Sequence, residues 1–168
     1  MQPTKTTILN QTQISQRINR LAFQIYEDNL EEKEIILAGI AKSGYIFAKK
    51  IADVLKSISP LHVELIEVVI EKHSQQRKEI ELSLKKEKLN GKVIVLLDDV
   101  LNSGKTLMYA LRPFLNADIK KIRTAVLVDR NHKRFPVAAD YVGISLATTL
   151  QEHVTVDFEN GDEEVYLS

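Results

Sequence analysis

The stretch VIVLLDDVLNSGKTL, residues 93–107, decides the fold. It opens on the strongest apolar run of the chain, KVIVLLDD at 92–99, which predicts a buried strand closed by the adjacent carboxylates Asp98 and Asp99. Asn102-Ser103-Gly104-Lys105-Thr106 then leads into a helix carrying Leu107, Ala110, Leu111 and Phe114 on one side. A strand running through a small-residue loop into a helix is the unit from which parallel α/β sheets are built.

The same alternation extends in both directions. On the N-terminal side, Ile14, Ile18, Leu21, Ala22 and Ile25 recur at helical spacing and predict a helix over about residues 11–30. IILAG at 35–39 reads as a strand, and a helix follows from about Tyr45 with Phe47, Ile51, Val54, Leu55 and Ile58 inward, closed by Pro60. VELIEVVIE at 63–71 reads as another strand. The polar segment 72–92, with HSQQRKE at 73–79, reads as a mobile loop or an exposed hairpin arm. On the C-terminal side, RTAVLVD at 123–129 and ADYVGIS at 139–145 add two strands. HVTVDF and NGDEEVYL alternate with period two around Asn160-Gly161, a strong hairpin signal. The expected architecture is a three-layer α/β fold, with a mostly parallel central sheet flanked by helices and a C-terminal β-hairpin, in one domain over residues 1–168.

Ligands of such sheets bind beyond the carboxyl ends of the strands. The 102–106 loop offers backbone N–H groups, the positive end of a helix dipole, a glycine that permits close approach, and the hydroxyls of Ser103 and Thr106. That combination suits a monophosphate. Two consecutive acids behind a buried strand are costly unless they bind something, and they suit hydroxyl donors such as a ribose diol, or a hard cation. A nucleotide-triphosphatase P-loop would require glycine five positions before Gly104, where this chain has Asp99. A second strand-to-helix loop, Gly39-Ile40-Ala41-Lys42-Ser43-Gly44, offers backbone amides and one lysine to another anion.

Composition excludes several alternatives. The 168 residues contain no cysteine, which removes disulfides, thiolate zinc sites and a cysteine nucleophile. No apolar run approaches the roughly 20 residues of a membrane span, and the polar start MQPTKTT does not resemble a signal peptide. A cytoplasmic location without membrane partners is expected. The net charge of zero hides an asymmetry. Residues 1–150 hold all 23 Lys and Arg against 17 Asp and Glu, a net of +6, and residues 151–168 hold six acids and no Lys or Arg. A cationic body suits phosphates, whereas the short basic clusters at Lys49-Lys50, Lys85-Lys86-Lys88, Lys120-Lys121-Arg123 and Lys133-Arg134 make RNA a possible but less favoured partner.

LLDDVLNSGKTL, 96–107, resembles the phosphoribosyl pyrophosphate (PRPP) motif of type I phosphoribosyltransferases. TTILNQTQI, LAGIAKSGYIFAKKIA and AVLVDRNHKRFPVAADYVG (125–143) narrow the resemblance to the bifunctional pyrimidine-operon attenuator and uracil phosphoribosyltransferase proteins. The resemblance implies that Asp98 and Asp99 hold the ribose hydroxyls and, through them or through water, Mg²⁺. It implies that the 5′-phosphate and ribose are bound across Asp98, Asp99, Val100, Leu101, Asn102, Ser103, Gly104, Lys105 and Thr106. Ala41, Lys42, Ser43 and Gly44 receive pyrophosphate, and Asp129, Tyr141 and Val142 adjoin the base. Arg130 joins Asp98 and Asp99 as the implied catalytic group, with a guanidinium suited to bidentate phosphate binding.

The implied substrates are PRPP and a nucleobase, and the implied assembly is a homodimer or larger. In related purine-salvage enzymes an Asp at the position of Asn102 accepts a proton from the base. An amide cannot do so at neutral pH, which favours uracil. A purine or another base, and a pyrimidine-sensing RNA-binding regulator, remain the alternatives. The family's lid corresponds to 72–83, where its aromatic and acidic run is missing and His73, Arg77 and Lys78 stand as possible pyrophosphate contacts.

Overall fold

The computed structural model describes residues 4–71, 79–149 and 151–168. The elements in chain order are β1 (Thr6–Leu9), α1 (Gln11–Asp28), β2 (Glu34–Ile40), α2 (Ser43–Ile58), β3 (His62–Glu71), β4 (Glu79–Leu82), a 3-10 turn (Lys86–Leu89), β5 (Val93–Leu101), α3 (Lys105–Leu115), β6 (Lys121–Asp129), β7 (Tyr141–Ser145), β8 (Val154–Asp157) and β9 (Glu164–Leu167). Six strands form the central sheet in the order β4-β3-β2-β5-β6-β7. All pair parallel except β4, which runs antiparallel to β3. The segment 72–92 is therefore a hairpin arm in its described part. His73, Arg77 and Lys78 lie outside the described residues.

Two apolar clusters, one on each face, make the three expected layers. α1 and α2 cover one face through Ile14, Ile18, Leu21, Ile25, Phe47, Ile51 and Leu55, all buried. α3 covers the other through Leu107, Ala110 and Phe114. Each fully buried aliphatic or aromatic side chain contributes about 1.5–3 kcal/mol, so this double cover fixes the sheet. α1 begins at a reciprocal cap: Asn10 Oδ1 accepts from the Gln13 N–H at 2.9 Å, and the Asn10 N–H donates to Gln13 Oε1 at 2.9 Å. Among the described residues no helix is long and apolar enough to cross a membrane.

The expected C-terminal hairpin is present as β8 and β9, and it acquires a third strand: β1 pairs antiparallel with β9. Ion pairs pin this small sheet, Lys5 to Glu164 at 2.5 Å and Lys50 of α2 to Glu163. Part of the acidic tail is thus neutralised by lysines of the cationic body.

Strand order places the site. After β2 the chain crosses to β3 on one side, whereas β5, β6 and β7 lie on the other, so the sheet reverses its winding between β2 and β5. Loops that follow adjacent strands on either side of such a reversal diverge and leave a crevice between them. The two loops there are 41–44 and 102–106.

Candidate active site

β5 is longer than the apolar pattern predicts. It pairs with β2 only as far as Leu97, opposite Gly39, but continues with β6 through Asp98, Val100 and Leu101. Asp98 and Asp99 are therefore strand residues, on the stretch of β5 that β2 has left. Each turns one carboxylate oxygen to a local backbone N–H: Asp98 Oδ1 accepts from Asp99 at 2.9 Å and Asp99 Oδ1 from Val100 at 2.8 Å. Burial, and next the charge of Asp99, push the Asp98 carboxyl well above the usual carboxylate range. A cation or hydroxyl donors at this position would restore its charged form.

The space vacated by β2 is filled by the 41–44 loop. Ala41 donates its N–H to Val68 O at 2.9 Å, and Gly44, in the first turn of α2, is buried against Asp98. A Cβ on Gly44 would come to 2.8 Å from Leu97 O and 3.1 Å from Asp98 Oδ1. The Ala41–Lys42 peptide is cis, and the Lys42 side chain is exposed. The start of α2, at Gly44, thus stands beside Asp98, and helix N–H groups there suit an anion.

On the other side, Gly104 turns the chain into α3 with φ +88°. Only glycine fits comfortably, because that φ is left-handed and an added Cβ would lie 2.6 Å from Val137 Cγ1. The 134–137 turn braces the loop from outside: the N–H groups of Arg134 and Phe135 donate to Ser103 O at 2.8 and 3.1 Å. A small concavity runs from Asp98 through Asn102, Ser103 and Gly104 to Thr106 and Leu107. Asp98 and the phosphate-type loop therefore share one depression. The Lys105 ammonium lies 5.9 Å from the Tyr109 ring centroid, along α3.

Three residues expected at the site are placed differently. Arg130 is 8% exposed, and its guanidinium is already engaged. It donates to Asn102 Oδ1 at 3.0 Å, Thr148 Oγ1 at 3.1 Å, Thr149 O at 3.1 Å and Glu152 O. Four of its five N–H bonds are used, so an open bidentate phosphate fork is not what the fold holds. Tyr141 opens β7 opposite Ala125, four residues before the end of β6 at Asp129. It faces α1, with its hydroxyl donated to Asp28 Oδ2. Val142 points to the opposite face, against the α3-side cluster. Both lie in the body of the sheet, away from its carboxyl edge, because ADYVG begins a strand that the apolar pattern leaves open at that end. Asp129, by contrast, does close β6 at that edge; it is buried and accepts the Asn131 N–H at 2.9 Å.

The structure adds a segment that periodicity left unread. Beyond β7, residues 146–149 pass over the ends of β6 and β7. Leu146 N–H donates to Asp129 O at 2.8 Å, Asn131 Nδ2 donates to Leu146 O at 3.3 Å, and His132 Nε2 bonds Thr148 O. It belongs to no helix or strand, so the only hint in the sequence is the polar run Asp129–His132 that holds it.

Among the described residues no group of three or more His, Cys, Asp or Glu could cage a metal. Mg²⁺ needs no cage, since it takes one or two carboxylates and completes its shell with water and substrate phosphates. The Asp98–Asp99 pair beside two anion loops fits an ion that arrives with a diphosphate.

An acid pair between two strand-to-helix loops at the winding reversal of a parallel sheet is the arrangement expected of a phosphoribosyltransferase. The model of the phosphoribosyl transferase domain family matches residues 4–159, and the chain belongs to that family. It is 32% identical to the bifunctional protein PyrR of Fusobacterium nucleatum, over 95% of this chain and 96% of that one. It is 31% identical to the bifunctional protein PyrR of Clostridium kluyveri, over 95% and 93%. Among solved structures it superimposes on a hypoxanthine-guanine phosphoribosyltransferase from Bacillus anthracis with a TM-score of 0.71 at 20% identity, covering 84% of each chain. A hypoxanthine phosphoribosyltransferase from Staphylococcus aureus gives 0.74 at 18%, covering 86% and 80%. These two likenesses establish the fold, and the resemblance read from the PRPP motif is borne out at the level of family.

Proposed function

We propose that the protein transfers ribose 5-phosphate from PRPP to uracil, giving uridine monophosphate and pyrophosphate. The observation that carries this reading is the contact of Gly44 with Asp98, which puts a pyrophosphate-type loop and a ribose-type acid pair side by side. In the reaction the C1′–oxygen bond to pyrophosphate breaks, a bond forms from C1′ to a ring nitrogen, and the base loses the proton from that nitrogen to water.

The chain's own residues act mainly by positioning and charge complementarity. Asp98 and Asp99 accept hydrogen bonds from the two ribose hydroxyls and stabilise positive charge developing on the ring. The 102–106 amides and hydroxyls, with the α3 dipole, hold the 5′-phosphate. The first turn of α2 and Lys42 receive the leaving diphosphate. Asp98 and Asp99 would hold Mg²⁺, directly or through water and the ribose hydroxyls, and the ion would neutralise charge on the diphosphate. Asn102 offers an amide where a purine-handling site would need a proton acceptor, which supports uracil as the base.

Incubation with Mg²⁺, PRPP and a panel of bases, with pyrophosphate release as the readout, tests the reading. Turnover with uracil alone is expected; turnover with hypoxanthine or guanine and none with uracil overturns it. Asp99→Asn is expected to abolish PRPP binding, and unchanged affinity would show the acid pair to be misread.

The word bifunctional in the relatives' names favours a second role, binding of RNA in response to pyrimidine nucleotides. Against it, Lys50 and Lys120, from two of the short basic clusters, are already paired with Glu163 and Glu32. Filter binding of leader RNA over a salt series decides, since phosphate-driven binding must weaken steeply with salt.

A further inference from the structure

Arg130 is a buried cation whose guanidinium is held by neutral oxygens, with the Glu152 carboxylate near enough to feel its charge. Among the described residues no carboxylate lies within ion-pair distance of it, and the four acceptors of its guanidinium are all neutral oxygens. Burying a charge is costly, so a fold that keeps one gains something from its particular hydrogen bonds. Those bonds join two separate pieces of the site. One end of the fork holds Asn102 of the phosphate-type loop, and the other holds Thr148, Thr149 and Glu152 of the segment beyond β7.

The two pieces stand on opposite sides of one reacting atom. With the 5′-phosphate in the 102–106 loop and the ribose on Asp98 and Asp99, a diphosphate lying toward Gly44 occupies the β2 side of β5. The group that replaces it at C1′ must then approach from the β6 side, where residues 146–149 cross the strand ends. The position of that segment therefore sets where the incoming base sits. Asn131 and His132 hold it at Leu146 and Thr148, and among the described residues Arg130 ties it to the phosphate-binding loop.

We propose that Arg130 is a positioning residue that couples the phosphate loop, through Asn102 Oδ1, to the wall against which the nucleobase is placed. Its guanidinium acts through Asn102 and Thr148 and needs no direct contact with the substrate. The glycine-rich loop then does two things: it binds the 5′-phosphate, and, once filled, it holds the base side of the site in register. This rests on the phosphoribosyltransferase reading of the two loops given above.

The test uses Thr148, which lies outside the PRPP-binding loops. Thr148→Val keeps the shape and removes the acceptor for Arg130 Nε; Thr148→Ser keeps the acceptor. With the base that the wild-type protein turns over, Thr148→Val is expected to raise the KM for base about five- to tenfold, with the KM for PRPP changed less than about twofold. Thr148→Ser is expected to return the base KM to near the wild-type value. Asn102→Ala raises the base KM as well, and the double variant Asn102→Ala/Thr148→Val is expected to be little worse than the more affected single variant, because both cut one chain of hydrogen bonds.

Effects on base KM that simply multiply, or a Thr148→Val change confined to PRPP, would overturn the coupling. A variant that merely loosens the fold would lower kcat and thermal stability together without the split between substrates. If wild-type protein turns over no base at all, the phosphoribosyltransferase reading itself fails. A wild-type enzyme with an unaffected Thr148→Val variant refutes the role of Arg130 alone.

Discussion

Gly44 and Asp98 touch where β2 and β5 part, with room for a hydrogen on Gly44 but not for a methyl group. An added Cβ would sit 2.8 Å from the Leu97 carbonyl oxygen and 3.1 Å from Asp98 Oδ1. The first of these neighbours is backbone in a central strand and cannot yield. The 41–44 loop would have to move instead, away from the acid pair. Gly44→Ala is therefore expected to lower stability by about 1–3 kcal/mol and kcat/KM for PRPP by about 10- to 100-fold. Denaturant unfolding and steady-state kinetics measure the two effects. A variant with wild-type kcat/KM would mean that the two loops work independently.

Asp98 carries a predicted conflict between stability and function. Burial first and the Asp99 charge second hold its carboxyl above the usual range in the fold. In the unfolded chain it ionises near the ordinary value of about 4. As pH rises from that value through the raised one, the unfolded state releases a proton that the native state still holds, and native stability falls. Asp98→Asn keeps the Oδ1 acceptor for the Asp99 N–H and removes the charge. Without substrate or metal it is expected to melt about 2–4 °C higher than wild type near neutral pH, with no gain near pH 3.5, where both forms are uncharged. Its turnover is expected to fall by at least about 100-fold. A neutral-pH melting point below that of wild type would contradict the direction of the shift.

Tyr141 offers the complementary case, in which stability changes and catalysis does not. Its ring is buried against α1, and its hydroxyl reaches Asp28 at the end of that helix, away from the carboxyl edge of the sheet. Burial, followed by the Asp28 hydrogen bond, raises the phenol's pKa, as expected for a neutral donor held in place. Tyr141→Phe is expected to lose about 1 kcal/mol and to leave kcat and both KM values within about twofold. A selective rise in the KM for base would return Tyr141 to the base pocket.

The contrast between Tyr141 and Gly104 shows which parts of the protein can be read from its sequence. Gly104, Asp98 and Asp99 follow one another along the chain, so local chemistry displays strand, acid pair and helix start together. The sheet and its helical layers were legible for the same reason, since periodicity is a property of contiguous residues. Tyr141 shares its stretch with apolar residues, and only strand register shows that it stops short of the carboxyl edge. β1 is four residues long and pairs with β9 at the far end of the chain, so no local pattern announces it. Arg130 carries a charge that suits phosphate, but its partners at 102 and 148–152 are distant in sequence. What it does depends on a packing that composition cannot express.

Gly104 bears two separable penalties against any side chain, and a double variant can divide them. Its φ of +88° is left-handed, which costs an L-residue about 1–2 kcal/mol. The 2.6 Å approach of a Cβ to Val137 Cγ1 adds a steric term that depends on one side-chain methyl. Gly104→Ala is expected to destabilise the protein by more than the backbone cost alone and to raise the KM for PRPP more than that for the base. In a Val137→Ala background the steric term disappears while the backbone term stays. The stability cost of Gly104→Ala should then shrink without vanishing, as urea denaturation of the four proteins in the cycle would show. If the cost is the same in both backgrounds, the Val137 contact plays no part in holding the loop. If it falls to zero, the left-handed turn is not what makes glycine necessary at this position.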